Sequence, residues 1–342
     1  MEQMNAIVIS EPFRAAVRKM PVPVPKKGEA LLKMLVGGVC GSDLASYRGQ
    51  SAYVSYPRVI GHEFAARVVE AEPNEYGIVP GMTVTGNPYF NCGRCYSCRR
   101  GYVNACVNNQ TMGVQREGAF GEYFTMPLER LYDGQGIPPR ALALIEPFCI
   151  SYHGISRAKI GPGDKVLVVG AGAIGILAAV AARSFGAKAY ITDVAPGKVA
   201  LAVKEFGLDG GFVNDSPRAL DRFLADTTGE DGFDLTVEAV GAPSTFLDCI
   251  RAAASRGQVV VIGVAKHSVD FNFLELQRKE LNVFGSRGAV RADFEAVMKL
   301  VRSGFVDLTR LISRTYPAEG AEEAFRDMDH DSAQIIKAVF EF

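Results

Sequence analysis

The sequence predicts an α/β chain with a β-rich lobe followed by a domain built on a parallel sheet. Three observations carry this. Short β-rich runs alternate with Gly/Pro turns from residue 5 to about 130. Four of the seven cysteines, Cys92, Cys95, Cys98 and Cys106, share one loop as C-x2-C-x2-C-x7-C. Beyond residue 160, an apolar strand pattern runs directly into Gly170-Ala171-Gly172-Ala173-Ile174-Gly175 and then a small-residue helix.

A chain of 342 residues allows about two domains. Formal net charge is −1, which argues against a nucleic-acid groove or an acidic-membrane surface. Residues Met1 to Asn5 lack the basic and apolar regions of a signal peptide. Val166 to Ala182 is apolar but too short and Gly-rich for a membrane span, so it reads as a buried strand, turn and helix. The expected location is a reducing cytoplasm, with cysteines as metal ligands or buried thiols.

In order, strand runs cover residues 5 to 10 and 29 to 37. Pro21, Pro23 and Pro25 force an extended connector between them. Val39-Cys40-Gly41-Ser42-Asp43 and Gly61-His62-Glu63 follow. Cys, His and carboxylate are zinc-ligand types, but these are far apart and must meet through folding. Taken alone, each is weak, because a single Cys is more often a small buried hydrophobe. The four-cysteine loop is specific. Gly93 and Gly101 let it wrap an ion, and four thiolates suit one tetrahedral Zn2+. Disulfides require an oxidising compartment, and iron–sulfur motifs use other spacings. A closed four-sulfur site supports structure rather than chemistry. Gly118 to Tyr123 turns into another strand, Glu146-Pro147 sits in an apolar surround, and Cys149 and His153 follow on a helix.

The second domain opens with the strand run Lys165 to Val169. The glycines after it permit a tight turn, close approach of a pyrophosphate, and close helix–strand packing. The next helix runs from Ile176 to Phe185, and its N-terminus favours phosphate. Asp193 ends the following strand, 18 residues past Gly175. Its carboxylate accepts from ribose hydroxyls and repels a 2′-phosphate, which favours NAD over NADP. Further strands are expected at 233–241, 258–264 and 281–286, then a helix at 291–303 and a terminal strand at 335–342. Loop tips such as Gly263 and Gly285 are where a dinucleotide lies.

Together, Cys40-Gly41-Ser42-Asp43, Gly61-His62-Glu63, the cysteine loop, Glu146-Pro147 and the glycine turn resemble the zinc-dependent medium-chain alcohol dehydrogenase family. Within it they resemble the threonine, polyol and sugar-acid branch, over essentially the whole chain. The resemblance implies a GroES-like catalytic domain, residues 1–150 with 287–342, interrupted by a Rossmann domain, 151–286. It implies a catalytic zinc at Cys40, His62 and Glu63, with Glu146 ligating or approaching the metal, and a structural zinc at the four cysteines. Ser42 would take the substrate proton, and Asp43 would orient His62. Gly170, Gly172, Ile174 and Gly175 would hold phosphate, with Asp193 and Lys198 on the adenosine ribose. Ile262, Gly263, Val264, Ser286 and Arg287 would lie on the nicotinamide side. A homodimer or homotetramer is implied, with Asp270 to Phe273 a plausible contact.

Two departures matter. Leu44 to Tyr47 stand where the family often has a His or another relay group, which leaves the proton exit open beyond Ser42. Ala66 replaces the usual glycine three residues after Glu63. Arg287, with Arg291 nearby, resembles the branch acting on sugar acids. It is expected on a substrate carboxylate or cofactor phosphate, against an equal expectation of a surface or interface arginine. The leading expectation is NAD-dependent oxidation of a polyol or sugar acid such as L-gulonate or L-galactonate. The alternatives are a threonine or simple-alcohol dehydrogenase and a silent NAD(H)-binding sensor. A zinc-finger nucleic-acid module fits poorly with the neutral charge.

Overall fold

The computed structural model describes residues 2–216, 218–331 and 334–342. The chain divides into two compact units, Met1–Glu146 with Ala289–Phe342, and Pro147–Gly288.

The first unit is built on β-sheet. Its seven-stranded sheet runs in the order Leu131–Asp133, Thr83–Gly86, Glu63–Glu70, Glu29–Val39, Lys337–Glu341, Ile312–Pro317, with Tyr123–Pro127 also paired to Glu29–Val39. Glu29–Val39 is buried at every position except Glu29, Lys33 and Leu35, including all of its last four, as a central strand requires. The terminal strand lies antiparallel to it, with Ala338 opposite Val39 and Val339 opposite Gly38. On its other side Gly38 faces Glu63. A three-stranded sheet, centred on Gln3–Glu11, adds a second layer. Phe64, Phe120, Phe124, Phe325 and Phe340 fill the core between these elements.

The second unit is a six-stranded parallel sheet. Its order is Gly210–Val213, Lys188–Asp193, Lys165–Val169, Phe233–Glu238, Ala253–Val261, Asn282–Gly285. The order reverses at Lys165–Val169, and helices link the strands, as the long connections between parallel neighbours require. The edge strand Gly210–Val213 has no signature in the sequence. Its two glycines and half-buried positions lack the apolar run that marks the central strands. The helix after the glycine turn begins at Ala173, three residues earlier than the apolar pattern indicated, because Gly172 caps it. Among the described residues, no helix is long and apolar enough to cross a membrane.

Candidate active site and metal centres

Cys40 follows the strand Glu29–Val39 and caps the helix Gly41–Tyr47. The third helical residue, Asp43, folds back on this cap. Its Oδ2 accepts the Cys40 N–H at 2.9 Å, and its Oδ1 accepts the Gly61 N–H at 3.3 Å. One buried carboxylate therefore joins the backbone of Cys40 to that of Gly61, which precedes His62. Burial raises the Asp43 pKa, although His62 and these N–H groups oppose it. His62 Nδ1 stands 3.9 Å from Asp43 Oδ1, too far for a hydrogen bond. Asp43 thus acts on the imidazole by charge and through the Gly61 backbone. Nδ1 is buried with no hydrogen-bond partner among the described residues.

The donor atoms of Cys40, His62 and Glu63 lie within 4.8 Å of one another. His62 is 4% exposed and Glu63 is fully buried. A thiolate, an imidazole and a carboxylate, brought together from two chain segments, are a donor set that fits Zn2+ with a position open to substrate.

Glu146 is the second residue of the helix Ile145–Ser156 and is 2% exposed. It falls outside the three-residue donor group. The Tyr89 hydroxyl donates to its Oε1. Burial pushes the Glu146 carboxyl up to about 7, against His62 and with Glu63. Burial also lifts the Tyr89 phenol well above its ordinary value, and Glu146 adds to this. Ser42 is half-buried in the first turn of its helix, two residues past Cys40.

Two partners of these groups went unread in the sequence. Lys337 donates to Glu63 Oε1 at 2.8 Å, to Glu63 Oε2 at 2.9 Å and to the Val39 carbonyl at 3.1 Å. Burial works to lower the ammonium pKa, but Glu63 and Cys40 outweigh it and hold it raised. The only sequence signal for this was a cation inside the apolar run Ile335 to Phe342. Tyr89 carried no signal beyond its place just before the cysteine loop.

In that loop the sulfurs of Cys92, Cys95, Cys98 and Cys106 lie within 4.8 Å of one another. Cys95 is 3.5 Å from Cys98 and 3.8 Å from Cys106. An ion about 2.3 Å from each of four tetrahedral sulfurs would space them about 3.8 Å apart, whereas a disulfide needs about 2.0 Å. None of the seven cysteines is in a disulfide. Backbone N–H groups of Arg94 and Cys95 pull the Cys92 thiol down to about 6, and those of Cys98 and Val107 lower Cys95. Burial pushes Cys106 up to about 11. N–H donors aimed at thiols suit thiolates holding a cation.

In the second unit, Gly170 leaves the strand Lys165–Val169 with φ +111°, and its N–H donates to Thr192 O at 2.8 Å. Gly172 caps the helix Ala173–Ser184, which contains Ile174 and Gly175. A β-carbon on Gly175 would fall 1.8 Å from Gly170 O, so only glycine lets the first helical turn sit against the turn that precedes it. Asp193 ends its strand and accepts the Ala171 N–H at 2.7 Å and the Ala195 N–H at 2.9 Å. The acid and the glycine turn are therefore one assembly. Lys198 is half-buried in the first turn of the next helix, Pro196–Phe206. Ile262 and Gly263 both donate backbone N–H to Glu238 O, at 2.9 and 3.0 Å. The buried Glu238 side chain accepts from Val240 N, Gly241 N and Thr245 Oγ1. Glu238, read only as part of a strand, ties two loop tips together. Val264 is 84% exposed, Ser286 Oγ is buried without a hydrogen-bond partner among the described residues, and Arg287 is exposed. Arg291 lies in the other unit and donates to the Glu129 carbonyl.

Comparison with known proteins fits both units. The alcohol dehydrogenase GroES-like domain matches residues 26–136, and the zinc-binding dehydrogenase domain matches residues 173–303. An L-galactonate-5-dehydrogenase of Escherichia coli strain K12 is 32% identical over 342 residues, covering 100% of both chains. A structure described as a short chain alcohol dehydrogenase (rspB) from Escherichia coli CFT073, complexed with NADH, superposes with a TM-score of 0.91 at 27% identity, covering 100% of each chain. A zinc-binding dehydrogenase from Sinorhizobium meliloti 1021, bound to NADP, gives 0.92 at 28% identity, again covering 100% of each chain. The chain belongs to the zinc-type medium-chain alcohol dehydrogenase family and is an oxidoreductase acting on alcohols.

Proposed function

We propose that the chain is an NAD- and zinc-dependent dehydrogenase that oxidises a secondary alcohol of a sugar acid or related polyol, of the L-gulonate or L-galactonate kind. The observation that carries this is the convergence of Cys40, His62 and Glu63 within one buried donor group. Full-length similarity to an L-galactonate-5-dehydrogenase supports the substrate class. Zn2+ held there supplies a Lewis acid that acidifies an alcohol, and the nicotinamide supplies the hydride acceptor.

The chain does the rest. Asp43 fixes the two backbone segments that carry Cys40 and His62. Tyr89 holds Glu146 in place beside the metal donors, where it would ligate or approach the metal. Ser42 takes the substrate proton. The cysteine lobe holds a second, structural Zn2+. The N-terminus of the helix Ala173–Ser184, capped by Gly172, presents its first-turn N–H groups to the pyrophosphate, and Asp193 keeps lone pairs for ribose hydroxyls beyond its two backbone donors. Arg287 meets substrate carboxylate or cofactor phosphate.

NADH formation on zinc-replete protein tests the reading against L-gulonate, L-galactonate, other aldonates, neutral polyols, L-threonine and simple secondary alcohols. The expected result is turnover of an aldonate that is abolished by chelator and restored by Zn2+. Turnover of neutral alcohols or threonine alone would discard the sugar acid and keep the chemistry. No turnover, with two zinc ions per chain and intact NADH binding, would favour a silent sensor.

Cofactor choice has its own test. Asp193→Ser removes the charge that repels a 2′-phosphate. The ratio of kcat/KM for NAD+ over NADP+ should fall by about 10²-fold or more. An unchanged ratio would place cofactor choice elsewhere.

A further inference from the structure

We propose that the Lys337 ammonium stands in for the catalytic metal's charge when the metal is absent, and shares Glu63 with the metal when it is present. The inference rests on Cys40, His62 and Glu63 being the metal centre.

Lys337 has three N–H donors, and the structure gives it three acceptors: both Glu63 oxygens and the Val39 carbonyl. The ammonium is fully used, so it is a positioning residue with no donor left for substrate. Each Glu63 oxygen keeps a further lone pair for a cation. Val39 precedes Cys40. The single ammonium therefore ties together the backbone entering one metal donor and the carboxylate of another. It arrives from the terminal strand, which pairs beside Val39. Both side chains are buried, Lys337 at 5% and Glu63 at 1% exposure.

A buried carboxylate without a counter-charge is strongly unfavourable. Removing the ammonium leaves the metal-free protein in that condition. In the metal-bound protein Glu63 still has a cation. Loss of Lys337 should therefore damage the metal-free form far more than the metal-bound form. By linkage, added metal then stabilises the variant more than the parent.

The test is thermal unfolding of the full chain and its Lys337→Met and Lys337→Arg variants, each in chelator and in excess Zn2+. In chelator, Lys337→Met should melt roughly 5–10 °C below the parent. In Zn2+ that gap should close to less than half, while Lys337→Arg follows the parent in both. The four-cysteine ion affects parent and variant alike, so it cancels in the comparison. An equal gap in both buffers would make the pair purely structural and overturn the inference, as would no gap in chelator. If Lys337→Met yields no soluble protein, Lys337→Gln, which keeps a donor without the charge, carries the same comparison. Native mass spectrometry of the parent separates this from the reading beneath it. Two zinc ions per chain with an equal gap sinks only the Lys337 role. One ion per chain sinks the proposed centre and the inference with it.

Discussion

Cys40→Ser is expected to lower kcat/KM by at least about 10³-fold and, on the proposed two-zinc reading, to remove one zinc ion per chain while leaving the other in place. A serine hydroxyl does not ionise at neutral pH and is a poor substitute for a thiolate ligand. The remaining donors, His62 and Glu63, cannot complete a site with an open fourth position. The fold should persist, because Cys40 is only half-buried at a helix cap and its backbone N–H still reaches Asp43. The four-cysteine lobe shares no donor with this site, so an ion retained there would report that the chain is folded. Steady-state rates beside a metal count per chain make the check. Retained activity with one zinc lost would show that catalysis does not depend on Cys40.

What the sequence revealed and what it hid separate by range. The cysteine loop spans 15 residues, and the glycine turn is contiguous with its strand and helix. A local pattern suffices for such features, because the chemistry needs its groups at fixed spacing. Cys40, His62 and Glu63 were legible as three donor types, but their meeting needed the antiparallel pairing of Glu29–Val39 with Glu63–Glu70. Lys337 lies 274 residues from Glu63, and Tyr89 lies 57 from Glu146. No period or spacing connects such pairs; only the sheet order does. The edge strand Gly210–Val213 stayed hidden for the opposite reason, since a short, half-exposed edge needs no apolar run.

Gly38→Ala should cripple the proposed catalytic centre without replacing any of its donor residues. A β-carbon built on Gly38 would lie 2.2 Å from Glu63 Oε2 and 3.1 Å from Glu63 Cβ. The backbone there has little room to retreat, because Gly38 is held between Glu63 on one side and Val339 on the other. The carboxylate must move instead, which breaks its alignment with both Lys337 and the donor group. Overpacking of this kind costs about 1–3 kcal/mol in stability, but positional error at a reacting centre costs about 10²-fold in rate. The expected outcome is a kcat/KM fall of about 10²-fold or more with NADH binding unchanged, since every residue proposed to hold the cofactor sits in the other unit. Gly41→Ala is the matched control. It lies on the far side of Cys40, and a β-carbon there meets nothing within 4 Å. If both substitutions behave alike, crowding of Glu63 is not the cause, and the close approach of Gly38 to that carboxylate carries no functional weight.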